Sequence, residues 1–141
     1  MHYLVASEKI AVSAEQVRAR IGLKSRDFDA TLNAEIAFTA ISLETRLRVG
    51  FSRQVWAIQR FEHKSLADFF RAVRFRKNLV SIGPAYRLAC NPSDTLGPYH
   101  DCTYSPDSRH VDALIGAVAA WALRQDDIVD EIARETCRRA A

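Results

Sequence analysis

The chain has 141 residues, is 48% hydrophobic and 26% charged, and carries a formal net charge of +3. Those values fit one globular domain and exclude a disordered tail, a collagen-like fibre and a disulfide scaffold. The longest apolar run, Val111 to Leu123, is thirteen residues and contains Asp112, short of the roughly 20 residues that span a bilayer, so no membrane partner is expected.

In chain order, residues 3–12 read as a short strand or an extended arm. Met1-His2-Tyr3-Leu4-Val5 lacks the basic stretch and long apolar run of a secretory signal, which points to the cytoplasm. Ser13 followed by Gln16 is a capping box, Val12 and Val17 sit at the positions of a hydrophobic staple, and Gly22 suits the helix end. A longer helix is predicted from about Ser25 to Val49. Phe28, Leu32, Ile36, Leu43 and Leu47 form its core face, and Ala34, Ala37, Phe38 and Ile41 form a second apolar set. A helix that is apolar on two sides packs between neighbours.

Gly50 interrupts that helix. Between Phe51 and Phe61 the spacing of Val55, Ile58 and Phe61 favours a helix over the alternation of Val55, Ala57 and Gln59. Ser65 opens a further helix reaching Lys77, with Leu66, Phe69, Phe70 and Val73 on its core face and Arg71, Arg74 and Phe75 on the other. All four prolines (Pro84, Pro92, Pro98, Pro106) fall in a window that reads as one long irregular loop at about 83–107. A last helix begins at Asp107 or Ser108, buries Val111, Leu114, Ile115 and Val118, and either continues through Asp126-Asp127 or restarts after it. The expected architecture is mostly α: one helical domain over 1–141, a bundle of five or six helices with a short N-terminal strand.

Charge is unevenly spread. Thr45 to Lys77 holds nine basic residues against Glu62 and Asp68, a net +7, whereas Asp101 to Glu135 holds eight acids against three arginines, a net −5. Such a split supports attraction within or between copies of the chain, or a basic face for an anionic partner such as nucleic acid or an acidic protein. Cys90, Cys102 and Cys137 have no paired spacing and read as reduced thiols.

Three constellations bear on chemistry. The first is the basic helix, where Arg71, Arg74, Arg76 and Lys77 meet phosphates and Phe75 stacks on an unpaired base. Ser13 to Leu32 resembles bacterial DNA-binding helix–turn–helix segments, with Gly22 at the turn and Val17, Ile21, Leu23 and Phe28 apolar. That resemblance implies a recognition helix from Arg26, although Asp27, Asp29 and Glu35 on it repel phosphates.

The third is the loop His100-Asp101-Cys102 with Asp107, His110 and Asp112, which collects metal-ligand side chains without a standard zinc spacing. Within it, Asp107 to Leu114 resembles the last helix of ribonuclease-H-like nucleases, where a carboxylate helps hold a catalytic metal. The resemblance covers about a dozen residues, and such enzymes need further acids on preceding strands. No arginine is followed four to six residues later by histidine as HEPN ribonucleases require, and no phosphate loop, nucleophile elbow or His-Glu-x-x-His occurs. The reading these features support best is a small non-catalytic interaction protein without a cofactor, self-associating as a homodimer or larger oligomer. The alternatives are a nucleic-acid-binding protein and a metal-dependent hydrolase centred on His100, Asp107, His110 and Asp112.

Overall fold

The computed structural model describes residues 2–59, 75–86 and 98–140. Among these residues the chain is α+β, with four helices and a four-stranded antiparallel sheet, which overturns the expected all-α helical bundle. The elements are β1 (His2–Ser7), α1 (Ala14–Ile21), α2 (Asp29–Leu47), β2 (Gln54–Gln59), a single 3-10 turn (Arg76–Asn78), β3 (Leu79–Ile82), β4 (Tyr99–Tyr104), α3 (Ser108–Ala122) and α4 (Asp126–Ala140). None of the described helices is long and apolar enough to cross a membrane. The chain forms two compact units. One comprises residues 1–9 and 44–107 and holds the sheet; the other comprises 10–43 and 108–141 and is helical, with the last turn of α2 belonging to the sheet unit.

The sheet runs β1-β2-β4-β3. Register places Trp56 opposite Cys102, and Gln54 and Leu79 opposite Tyr104. One face therefore gathers Ile58, Cys102 and Tyr104, with Trp56, Leu79 and Ile82, around the ring of Phe75. Phe75 meets Tyr104 edge-on, with centroids 5.4 Å apart and planes at 81°. Gly50 permits this packing: a Cβ there would lie 3.0 Å from Phe75 Cδ2. The opposite face carries Ala57, Gln59, Tyr99 and Asp101, and the Tyr86 hydroxyl donates to Asp101 Oδ1 at 2.7 Å. Both outer pairings, β1–β2 and β3–β4, contain a register shift. Such shifts blunt an edge that would otherwise add a foreign strand.

The structure departs from three local expectations. The segment 51–61, expected as helix, contains β2. It lies in the sheet interior, so Ala57, Ile58 and Gln59 are all buried and the two-residue alternation is blurred. The loop expected at 83–107 contains β4 and a bridge between Tyr86 and Tyr99; Tyr-His-Asp-Cys-Thr-Tyr is rich in residues that fit a pleated surface. Where the expected helix runs to Lys77, Phe75 lies in a turn and Arg76–Asn78 form the 3-10 turn; its other positions, 65–74, lie outside the described residues, along with the core candidates Leu66, Phe69, Phe70 and Val73.

In the helical unit α1 follows its sequence closely. Ser13 and Gln16 form the reciprocal capping box, and Gly22 closes the helix at φ 75°. α1 packs on α3, and the Arg20 guanidinium pairs with Asp112 across them. Leu32, Ile36 and Ala40 of α2, and Leu114, Ile115 and Val118 of α3, are buried. Phe28, Leu43 and Val111 are only half-buried, and Leu47, expected in the core, is exposed. α2 stops at Leu47 because Arg48 takes the left-handed conformation (φ 54°), two residues before the glycine expected to end it.

Candidate interaction surface

The residues proposed for nucleic-acid contact divide sharply. Arg71 and Arg74 lie outside the described residues, Arg76 sits on the 3-10 turn, and Lys77 beside it is exposed. Phe75 is 3% exposed. Its ring is a core group of the sheet unit and presents no face on which a base could stack. In the helix–turn–helix resemblance, the second helix begins at Asp29 rather than Arg26, so seven residues separate the helices instead of the usual three or four.

The connection is shaped by two acids. Asp29 accepts from Arg18 Nε at 2.8 Å. Glu135 of α4, itself buried, accepts the backbone N–H groups of Lys24 and Ser25, each at 2.8 Å. Those donors, first that of Lys24 and then that of Ser25, hold the Glu135 carboxyl below its usual range against the opposing effect of desolvation, and Arg139 and Arg138 add to this. A carboxyl whose pKa is depressed by folding contributes stability above its unfolded pKa and loses it as pH falls through the folded one. Glu135→Gln is therefore expected to lower the melting temperature by several degrees at pH 7. The gap to wild type should narrow below the ordinary glutamate range, as thermal melts at pH 7 and pH 3 would record.

The metal-ligand constellation is dispersed. His100 Nδ1 lies 2.9 Å from the Gly83 carbonyl, which fixes the hydrogen on that nitrogen. The Cys102 thiol is buried, and desolvation first, with the charge of Asp101 adding and a Tyr104 hydrogen bond opposing, pushes its pKa up to about 11. It is protonated at neutral pH and lacks thiolate character. Asp107 follows β4, and His110 and Asp112 lie on α3, where Asp112 is engaged by Arg20. The fold does supply a strand acid, Asp101, which the nuclease resemblance asks for, but the Tyr86 hydroxyl occupies it. Among the described residues no three His, Cys, Asp or Glu side chains are grouped to hold a metal ion.

What stands out instead is the outward side of α2. Its buried residues Leu32, Ile36 and Ala40 define one face. On the other, Phe38 is 69% and Ile41 65% exposed, with Ala34 and Ala37 also exposed beside them. These four residues are the second apolar set of the sequence, laid along one stripe by the helical repeat. Large apolar side chains grouped at such exposure mark interaction surfaces more often than isolated ones do. The two apolar sides of this helix are expected from sequence to pack between neighbours; the second side is instead exposed, because a face that packs inside a bundle and a face that meets a partner have the same composition.

No family model, curated protein or solved structure matches the chain.

Proposed function

We propose that the chain is a non-catalytic interaction protein that self-associates through the outward face of α2. The observation that carries this reading is the exposure of Phe38 and Ile41, one turn apart on the side of α2 opposite Leu32, Ile36 and Ala40. Burying such side chains is favourable by about 25 cal/mol per Å² of apolar surface. The bulged sheet edges make strand addition the less favourable route to a partner, and the opposed charge of the 45–77 and 101–135 segments supports attraction between copies.

A seam along one helix belongs at the small end of interface sizes, below about 1,200 Å², so a reversible dimer in the micromolar range is expected. Sedimentation velocity over a concentration series should show it. Phe38→Glu should yield monomer with an unchanged circular-dichroism spectrum and stability within about 0.5 kcal/mol of wild type, as for other exposed positions. Wild-type chain that stays monomeric throughout the series would overturn the proposal.

A further inference from the structure

We infer that α2 pairs with α2 of a second copy in antiparallel orientation, with the two-fold axis between Phe38 and Ile41 and the seam closed by Glu35 of each copy against Arg46 of the other. The inference rests on the reading of α2 as the self-association face and adds to it a direction, a register and the charges that select them.

The register follows from the positions of the exposed residues. The apolar stripe spans Ala34 to Ile41 and continues through the exposed Thr45. With the two-fold between residues 39 and 40, Phe38 of one copy lies level with Ile41 of the other, and Ala34 lies level with Thr45. Each large side chain then meets a large one at the centre, while small residues toward the ends let the helices approach. A register shifted two positions toward the N-terminus would instead set Phe38 level with Ala37 and Ile41 level with Ala34, leaving each large side chain against an alanine and Glu35 far from the partner copy's Arg46.

The flanks select the direction. At 100° per residue, Glu35 and Arg46 fall within about 20° of each other on the same side of the stripe. Eleven positions at about 1.5 Å separate them by roughly 17 Å along the axis, too far to pair within one helix. In an antiparallel pair related by a two-fold, equal flanks face each other. Glu35 then lies about 3 Å along the axis from the partner copy's Arg46, well within the reach of an arginine, and symmetry repeats the contact. Glu35 is half-buried and steadied by the Thr39 hydroxyl, which donates to its Oε1 at 3.2 Å, and Arg46 is exposed. A parallel pairing would put the flank of Glu35 and Arg46 on opposite sides of the seam in the two copies, so neither residue would meet an opposite charge on that flank.

The test uses the full chain and two single reversals, Glu35→Arg and Arg46→Glu. Each alone replaces two attractions by two repulsions and should weaken the dimer by about tenfold. Mixed in equal amounts, the two variants restore both opposite-charge contacts in a heterodimer, and sedimentation of the mixture should recover wild-type affinity to within about twofold at low salt. If wild type dimerises, Phe38→Glu abolishes the dimer and the mixture shows no recovery, the antiparallel register is wrong while the α2 face stands. Monomeric wild type removes the face and the register together.

Discussion

Phe75→Ala is expected to destabilise the sheet unit by about 3–5 kcal/mol, the usual cost of truncating a buried aromatic ring. The ring is 3% exposed, stands edge-on to Tyr104 and lies against the Gly50 backbone. Deleting it leaves a void bounded by Ile58, Cys102 and Tyr104, which β-strand geometry prevents from closing. Urea unfolding followed by circular dichroism measures the loss directly. The result also decides between two views of the residue, because a surface phenylalanine waiting for a base would change stability by no more than about 0.5 kcal/mol. Gly50→Ala supplies the cross-check. In the wild-type background the added methyl crowds the ring; in the Phe75→Ala background it enters vacated space, so the second substitution should cost less than in isolation.

The legibility of this fold varies with how local its determinants are. The capping box at Ser13, the glycine stop at Gly22 and the start of α3 at Ser108 depend on neighbours within four residues, and each was readable directly. β2 was not, because its burial is decided by β1 and β4 on either side; a strand buried on both faces loses the alternation by which strands are recognised. β4 was hidden by its own chemistry. Tyr99 to Tyr104 reads as a reactive loop when its histidine, aspartate and thiol are counted, and as a strand when its tyrosines and threonine are. Helical spacing from Leu66 puts Phe75 on the polar side, but the chain turns at Phe75 and its ring enters the core of the sheet unit. The stripe on α2 was legible as residues but not as a surface, since only the packing of Leu32, Ile36 and Ala40 establishes which apolar side is already occupied.

The side chain of Asn78 reaches partners distant in sequence. It is 3% exposed. Its Oδ1 accepts the Gly50 N–H at 2.7 Å, its Nδ2 donates to the Ser105 carbonyl at 3.3 Å, and its own carbonyl accepts from Ser105 N–H at 3.0 Å. One side chain thus ties the segment after α2 to the end of β4. Asn78→Ala removes both side-chain bonds and leaves the buried Gly50 donor without its acceptor, a loss of roughly 2–4 kcal/mol when one orphaned buried group and one lost hydrogen bond are counted. Asn78→Asp separates the two halves of that cost. The ionised carboxylate still accepts from Gly50 but sets its second oxygen against the Ser105 carbonyl. Protonated, the same group regains a donor there and matches asparagine. Burial and that oxygen–oxygen opposition raise the folded pKa of the introduced carboxyl above its unfolded value, so its stabilising contribution is complete below the unfolded pKa and disappears as pH rises through the folded one. Asn78→Asp should therefore approach wild-type stability in mild acid and resemble Asn78→Ala at pH 8. Equal deficits at both pH values would show that the Ser105 contact contributes nothing and that Gly50 alone makes Asn78 matter.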